Sequence, residues 1–296
     1  MLSIDDFKPI FLEDKPIFDK HYSKYPTVHS DNVFTTLVSW RDYADFKYLV
    51  FEDNLIIMSQ THGKIQIKPV SGKGDKTFFD QIIKLALGNK KIEVVVDAPA
   101  KEWVTNNYPQ ISFLTQRDYF DYVYLASDLA ELAGSDYSKI RNRLNKFKRN
   151  FRYSVEEISE NNISEINEFL KRWCLWKDCE SDPILENEKK AILYSMKNFF
   201  DLKLSGISIR VNDAIEAIAV YEKMNPDTVV VHYEKGSPDY DGIYKVVNQE
   251  TAKIIQEDFK YIDRESDMGV PGLRKAKMSY KPHHMIEVFA LDKNSL

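Results

Sequence analysis

The sequence is poor in cysteine. Its two cysteines, Cys174 and Cys179, lie five residues apart in a segment whose apolar spacing predicts a helix. Side chains at that spacing would not face each other well, so we expect two free thiols rather than a disulfide, as in a reducing compartment. No third or fourth ligand lies nearby, which leaves a structural zinc site without support.

Long apolar runs are absent as well. No stretch approaches the roughly 20 apolar residues that a membrane helix needs, and the N-terminus lacks the basic-then-apolar pattern of a secretion signal. We therefore expect a cytoplasmic protein with no transmembrane segment. The sequence also contains no P-loop, no GxGxxG, no Ser-His-Asp order and no His/Cys metal spacing, so an NTPase, dehydrogenase, hydrolase or metalloenzyme has no support.

The apolar material that is present is enough for two packed domains. The chain has 296 residues, of which 43% are hydrophobic, with 17 Phe and 17 Tyr. A single core rarely grows to this length, so two domains of similar size are expected. The net charge of −5 argues against a surface that binds nucleic acid or membrane all over, but the charges are unevenly distributed along the chain.

The order of predicted elements occurs twice. Periodicity in the first half predicts helices over 5–20 and 31–42, three strands within 46–70, a helix over 76–88 and strands over 91–99 and 120–126. In the second half it predicts helices over 163–177 and 186–201, strands over 206–211, 214–224 and 227–236, a helix over 243–257, a strand over 260–265, a helix near 272–278 and a strand over 285–291. The repeated order indicates duplication of one fold, although no residue-level repeat is visible.

A basic segment links the two halves. Ile140, Leu144, Phe147 and Phe151 lie at spacings of four, three and four, which predicts one apolar stripe of a helix. Seven cations and no acid lie between Ser138 and Ser154: Lys139, Arg141, Arg143, Lys146, Lys148, Arg149 and Arg152. Two interpretations stay open, a solvated face between domains or a surface that binds phosphates of a cofactor, an RNA backbone or a lipid head group.

Four segments together resemble one known family. They are NVFTTLVSWRDY (32–43), DLAELAGSDYSKIRNRLNKFKRNF (128–151), VVHYEKGSPDYDGIYKVVNQETA (230–252) and YIDRESDMGVPGLRKAKMSYKP (261–282). In this order they are similar to the phosphatidylglycerol lysyltransferase C-terminal domain family, in a soluble branch of unknown function. The resemblance implies an α+β protein of two tandem GNAT-like domains, each a mixed, mostly antiparallel sheet flanked by helices. We place the domains at 1–126 and 127–296, the second including the linking helix over 136–152.

The resemblance also implies a class of activity. Fem-type relatives move an aminoacyl group from a charged transfer RNA to an amine or hydroxyl acceptor, and more distant relatives use acyl-coenzyme A. The transmembrane portion of full lipid lysyltransferases is missing from this sequence, which makes a lipid head group a less favoured acceptor than another small molecule. We expect no tightly bound cofactor, and a transfer RNA bound through 139–152.

A strand, loop and helix over 229–249 suits the donor. The free N–H groups at the start of such a helix favour phosphate. However, the acetyl-coenzyme A signature is missing here, and Asp239 and Asp241 would repel a pyrophosphate. Acetyl-coenzyme A is therefore less favoured than aminoacyl-tRNA as the donor.

Candidate catalytic residues lie at the end of this strand and near the C-terminus. Alternation along the strand predicts that His232 and Glu234 share one side. Glu234 could accept the acceptor's proton if burial raised its pKa, or it could simply pair with a Lys or Arg. His232 by itself is more often a packed histidine than a base. Tyr280 resembles the late tyrosine that acts as general acid in many GNAT enzymes.

The loop over 263–280 is the densest polar cluster. Arg274 and Lys275 could hold a phosphate or carboxylate, and Glu265 or Asp267 could bind an ammonium, unless these charges only pair with one another to fix the loop. The remaining expected substrate-binding residues are His232, Asn248 and Arg264, and the expected phosphate or RNA contacts are Lys139, Arg141, Arg143, Lys148 and Arg149. No metal ligand is expected.

The leading hypothesis is aminoacyl or acyl transfer in a cleft of the C-terminal half, between strand 228–235 and loop 263–280. The first alternative is a catalytically silent binding module of the same fold, which recognises a charged small molecule or a tRNA end. The second is an acyl-coenzyme A-dependent N-acyltransferase.

Overall fold

The computed structural model describes residues 2–61, 63–71, 75–180 and 182–295. The chain divides into two compact units. The first contains the residues up to Asp121, the segment Ser266–Val270 and the chain from Met285 to the C-terminus. The second contains Tyr122–Glu265 and Pro271–His284.

The first unit contains a seven-stranded sheet in the order β1-β2-β3-β4-β5-β14-β6. Its strands are β1 (Lys8–Pro9), β2 (Lys47–Phe51), β3 (Asn54–Thr61), β4 (Lys64–Ser71), β5 (Ile92–Asp97), β6 (Phe113–Thr115) and β14 (Val288–Leu291). Its helices are α1 (Lys15–Lys24), α2 (Phe34–Ser39), α3 (Arg41–Ala44), α4 (Lys76–Gly88) and α5 (Ala98–Asn107). The core packs apolar side chains of α4, among them Phe79 and Ile82, against Ile56 and Ile67 of the sheet.

The second sheet also has seven strands, in the order β13-β7-β12-β11-β10-β9-β8. These are β7 (Asp121–Leu125), β8 (Tyr153–Glu157), β9 (Ser205–Val211), β10 (Ala214–Lys223), β11 (Thr228–Gly236), β12 (Tyr261–Asp263) and β13 (His284–Ile286). The helices are α6 (Ala126–Glu131), α7 (Ser138–Asn150), α8 (Ile163–Lys177), α9 (Pro183–Lys197), α10 (Ile243–Ile255) and α11 (Pro271–Met278). None of the helices in the described part of the chain is long and apolar enough to cross a membrane.

The two sheets follow the same plan, which confirms the predicted α+β fold with two mixed, mostly antiparallel sheets. Each has an antiparallel run, then one parallel pair, β4–β5 or β11–β12, then antiparallel strands again. The predicted helix over 5–20 forms only from Lys15, because Lys8–Pro9 pairs with β2 instead. Pro16 then occupies the first turn of α1, where its missing N–H is harmless.

The last strand of each predicted domain, β7 or β14, pairs in the sheet of the other unit. We placed the domain boundary after residue 126, but β7 pairs with β12 through Tyr261 and Leu125, in the second sheet. The C-terminal strand β14 pairs with β5 through Ala290 and Val95, in the first sheet. Linear order along the chain cannot reveal this arrangement, because strand partners are chosen by long-range hydrogen bonding.

The two cysteines form a disulfide, so the expectation of two free thiols is wrong. Helix α8 ends at Lys177, and Asp178 adopts a left-handed conformation with φ of 51°. The chain therefore turns back, and the N–H of Cys179 donates to the carbonyl of Cys174. The two Cα atoms come within 5.3 Å, and the sulfur atoms are bonded. The prediction failed because it continued the helix through Cys179.

The basic linking segment forms helix α7, and three of the four residues of its predicted apolar stripe are buried, whereas Phe151 follows the helix and is half-buried. Ile140, Leu144 and Phe147 are at most 6% exposed. The start of α10 lies against this helix, and Gly242 makes that approach possible. Its φ is 99°, and a Cβ atom there would lie 3.0 Å from the carbonyl oxygen of Arg143.

We expect the substitution Gly242→Ala to destabilise the protein by about 1–3 kcal/mol, because alanine is strained at this φ and meets the backbone of α7. The measurement is denaturant unfolding followed by circular dichroism. Gly272→Ala is the matched control, since a Cβ there meets nothing within 4 Å and alanine favours the helix. Equal stability of the two variants would contradict the close approach at Gly242.

Candidate functional site

The central parallel strands of the second sheet separate halfway along β11. Pairing between β11 and β12 ends at Val230 and Asp263, whereas β11 continues to Gly236. The chain after β12 stays hydrogen-bonded to β7. The backbone N–H of Tyr122 donates to the carbonyl of Glu265 at 3.3 Å, and the carbonyl of Tyr122 accepts from the N–H of Arg264 at 3.0 Å. One edge of β11 beyond Val230 therefore has no strand partner among the described residues, and a gap opens in the sheet.

Glu234 lies in this gap and is held on both carboxylate oxygens. Arg264 donates to Oε2, and the side-chain amide of Asn248 on α10 donates to Oε1 at 3.1 Å. The side chains of Glu234 and Arg264 are 10% and 17% exposed. The pairing of Glu234 with an arginine, left open as an alternative above, is observed. The Asn248 amide oxygen is buried and has no hydrogen-bond partner within the described ranges.

Tyr280 and Lys245 complete the group around Glu234. The Arg264 guanidinium carbon lies 5.2 Å from the centre of the Tyr280 ring, and the Lys245 Nζ lies 4.6 Å from the same centre. Burial raises the pKa of Tyr280 well above its usual value, so its hydroxyl stays protonated. Burial, followed by the positive charge of Arg264, lowers the pKa of Lys245 to about 8.

Sequence reasoning missed Lys245. The available signal was its position three residues after Gly242, in the first turn of α10. A cation there opposes the positive end of the helix dipole, so its presence needs another reason.

His232 belongs to a second group of charges. Its ring nitrogens contact Glu222 at 2.9 Å and Glu265 at 3.0 Å, and its side chain is 3% exposed. Burial by itself lowers the pKa of His232, but the hydrogen bonds to the two carboxylates outweigh burial and raise the pKa to about 9. The ring is therefore a cation at neutral pH.

The two groups lie on opposite faces of the sheet, unlike the prediction from alternation. Ala219 of β10 pairs with Glu234, so these two side chains share one face of the sheet. Glu222 lies three residues further along β10 and therefore points to the opposite face. His232 contacts Glu222, because an extra residue at His232 shifts the register of β11. Simple alternation cannot detect such a bulge.

The corner after β12 is tightly fixed. Glu265 adopts a positive φ of 59°, and its N–H donates to the Asp263 carboxylate at 2.7 Å. The Lys277 ammonium donates to the carbonyls of Arg264 and Glu265. Consecutive side chains therefore point to different partners, Arg264 to Glu234 and Glu265 to His232. Bonds from charged side chains to the backbone thus fix the corner, and Arg264 and Glu265 pair with residues of β11 rather than with one another.

Of the other residues expected in this loop, Asp267 lies elsewhere. Asp267 belongs to the first unit, where its fully buried carboxylate contacts Arg117 at 3.3 Å. On α11, Arg274 is half-buried and Lys275 is exposed. Three cations lie in the group around Glu234: Arg264 contacts it, Lys245 lies beside Tyr280, and Lys277 donates to the carbonyl of Arg264.

The basic helix uses some of its cations internally. Arg141 donates to the carbonyls of Leu132 and Gly134, Lys146 contacts Asp241 at 2.9 Å, and Lys148 contacts Gln249 at 3.0 Å. The other four cations are exposed and make no hydrogen bond or ion pair with another described residue: Lys139, Arg143, Arg149 and Arg152.

The first unit opens in the same place but with different chemistry. Pairing between β4 and β5 ends at Ile67 and Val94, so Val95 and Val96 stand where the second sheet has Arg264 and Glu265. A small recess there is lined by His29, Asn32, Lys68, Pro69, Val95, Val96, Asp97 and Val288. Across the described ranges, no three His, Cys, Asp or Glu side chains are arranged to hold a metal ion.

Two mixed sheets of this plan, each opening between its central parallel strands, define a tandem GNAT-like α+β protein with a transferase-like fold. The chain belongs to the phosphatidylglycerol lysyltransferase C-terminal family, whose model matches residues 22–291. The resemblance drawn from four sequence segments is thereby confirmed.

The chain is also similar to individual proteins. A conserved protein of unknown function from Bacteroides thetaiotaomicron is 31% identical, with a TM-score of 0.88 over 96% of this chain and 98% of that one. The L-PGS structure from Bacillus licheniformis is 12% identical, with a TM-score of 0.64 over 95% of this chain and 92% of that one, and shows the shared fold. An uncharacterized protein of Mycoplasmoides gallisepticum is 25% identical over 188 residues, which span 63% of this chain and 59% of that protein.

Because the pKa of His232 is raised from 6.5 to about 9, its protonation stabilises the fold fully below pH 6.5, and this contribution is lost as pH rises through 9. We expect the parent to exceed His232→Gln in unfolding free energy at pH 6, and the difference to shrink by up to about 3 kcal/mol by pH 9.5. Urea unfolding across this range measures it. A difference that stays constant with pH would show that the ring is not a cation in the folded state.

Proposed function

We propose that the second unit transfers an aminoacyl or acyl group to an amine or hydroxyl acceptor at Glu234. The observation that carries this proposal is the gap between β11 and β12, with a carboxylate inside it that is fixed by Arg264 and Asn248. A gap of this kind admits a substrate to backbone groups that a closed sheet would occupy.

Each part of the reaction has a candidate group. Backbone N–H groups on the open edge of β11 beyond Val230 are suited to stabilise the oxyanion that forms on the donor carbonyl. The protonated Tyr280 hydroxyl is suited to give a proton to the leaving group. The Glu234 carboxylate is suited to act as base or to hold an ammonium group.

Aminoacyl-tRNA is the favoured donor. Three exposed cations of α7, together with Arg152 just after it, make no internal hydrogen bond or ion pair in the described part of the chain, which supports contact with an RNA backbone. The family is described as a phosphatidylglycerol lysyltransferase, which supports lysyl as a transferred group and a lipid head group as one acceptor. Acyl-coenzyme A is the second donor class, and no tightly bound cofactor is part of the proposal.

One observation favours a silent binding module instead. Glu234 is already paired with Arg264, and removing one partner of such a buried pair costs about 3–5 kcal/mol. If the pair never opens, the cleft can recognise a charged small molecule or a tRNA end but cannot assist proton transfer.

The test is Glu234→Gln, which keeps shape and hydrogen bonding but removes the charge. Transfer should fall by about a hundredfold or more, because proton transfer or ammonium binding depends on the carboxylate. The measurement uses radiolabelled lysyl-tRNA or acetyl-coenzyme A as donor, with phosphatidylglycerol vesicles or a soluble amine as acceptor.

Glu257→Gln is the matched control, because it removes an exposed carboxylate from the same unit. Transfer by Glu234→Gln at the parent rate would contradict a role for this carboxylate. Donor binding by parent and variant without transfer by either would favour the silent module.

For the basic helix, we expect reversal of Lys139, Arg143, Arg149 and Arg152 to Glu to weaken tRNA binding and to flatten its salt dependence. These four are chosen because Arg141 and Lys148 also hold the fold together. The measurement is filter binding at several salt concentrations.

Four exposed lysines of the first unit, reversed in the same way, give a control with the same net charge: Lys20, Lys64, Lys84 and Lys90. Equal losses in the two quadruple variants would mean that only total charge matters, and unchanged binding would remove RNA from the account of α7.

A further inference from the structure

We propose that Lys245 is the group that accepts the acceptor's proton, while Glu234 serves as an anchor. This inference rests on the proposed transfer function and assigns a catalytic residue within it.

Glu234 is occupied by structural contacts. Both of its oxygens accept hydrogen bonds, one from the Arg264 guanidinium and one from the Asn248 amide. These contacts connect β11, α10 and the corner after β12, so they keep Arg264 and Asn248 in place. A carboxylate in this position is suited to orient a bound ammonium or hydroxyl.

The side-chain amine of Lys245, unlike the carboxylate of Glu234, has no structural hydrogen bond within the described ranges. Among the described residues it makes no hydrogen bond or ion pair through its amine. Its side chain is half-buried, so a ligand can reach it. The amine lies beside the Tyr280 ring, at the edge of the same group that holds Glu234.

Three charged side chains, one uncharged ring and a helix dipole surround the amine of Lys245. Arg264 after β12 and Arg143 on α7 disfavour its ammonium form, whereas Glu234 on β11 favours it. Tyr280, which follows α11, faces it with an uncharged ring. The first turn of α10 adds the positive end of a helix dipole. With a pKa of about 8, a substantial fraction of the amine is neutral at slightly alkaline pH.

A neutral amine at this place can complete the transfer. The acceptor nitrogen or oxygen attacks the donor carbonyl, a new C–N or C–O bond forms, and the proton of the acceptor moves to Nζ of Lys245. The bond between the carbonyl carbon and the donor's oxygen or sulfur breaks, and the leaving group takes a proton from Tyr280. Tyr280 then regains a proton from solvent, and the Lys245 ammonium releases its proton to solvent. Protons and electrons balance without a further reactant.

The deciding experiment is the pH dependence of transfer by the full chain, with lysyl-tRNA or acetyl-coenzyme A as donor. In the parent, kcat/KM should rise with pH to a plateau through a midpoint near 8, where Lys245 loses its proton. Lys245→Arg keeps the charge but cannot give it up, so it should lose about a hundredfold in rate and should lose this limb.

The variant Glu234→Gln separates the two assignments. If Lys245 is the proton acceptor, this variant is slow but keeps the limb, and the midpoint moves to lower pH because a negative charge that favoured the ammonium form is gone. If Glu234 is the proton acceptor, Glu234→Gln loses the limb and Lys245→Arg keeps it. The second pattern overturns the Lys245 proposal and leaves the transfer function standing.

Two further arms complete the test. Lys253→Arg, on the same helix but paired with Glu250, should behave as the parent. Lys245→Ala should regain part of its rate when methylamine is added, which a purely structural lysine would not allow. A limb that persists in both Lys245→Arg and Glu234→Gln belongs to the acceptor and overturns the proposal. Absence of transfer by the parent with every donor overturns the proposed function and this assignment together.

Discussion

The separation of β11 from β12 is the constraint on which the candidate site depends. After Val230 the two strands no longer share hydrogen bonds, and the chain beyond β12 follows β7 instead. That choice turns Arg264 and Glu265 to opposite faces of the sheet. Arg264 meets Glu234 near α10, and Glu265 meets His232 beside Glu222. The end of pairing between β11 and β12 therefore opens the gap and also brings Arg264 to Glu234 beside it.

Burial then gives these charges their properties. A half-buried lysine beside an arginine loses its proton more easily than one in water, which explains the pKa of Lys245 near 8. The buried histidine shows the opposite result, because two carboxylates at hydrogen-bond distance more than offset burial. Burial thus lowers the pKa of Lys245 but does not lower that of His232. The two differ because Lys245 lies beside an arginine, whereas His232 is hydrogen-bonded to two carboxylates.

The two sheets show how one architecture carries different chemistry. Both open after the last pair of their central parallel strands, at Ile67 and Val94 or at Val230 and Asp263. The next two residues are Val95 and Val96 in the first unit, whereas the second has an arginine and a glutamate. The fold provides an opening in each unit, and side chains decide which opening carries charged groups.

The sequence by itself determined most of the helices and strands, three residues of the buried stripe of α7 and the family, because these depend on local periodicity and on motifs along the chain. It also singled out Glu234, Arg264 and Tyr280, which the structure brings together. It did not determine the strand partners of β7 and β14, since those depend on hydrogen bonds between residues far apart. The bulge at His232 and the turn that joins Cys174 to Cys179 were equally hidden, because each breaks the periodicity on which the prediction relied. Only tertiary structure placed Lys245 beside Tyr280 and gave Asp267 to the other unit, because both depend on which elements pack together rather than on spacing in the chain.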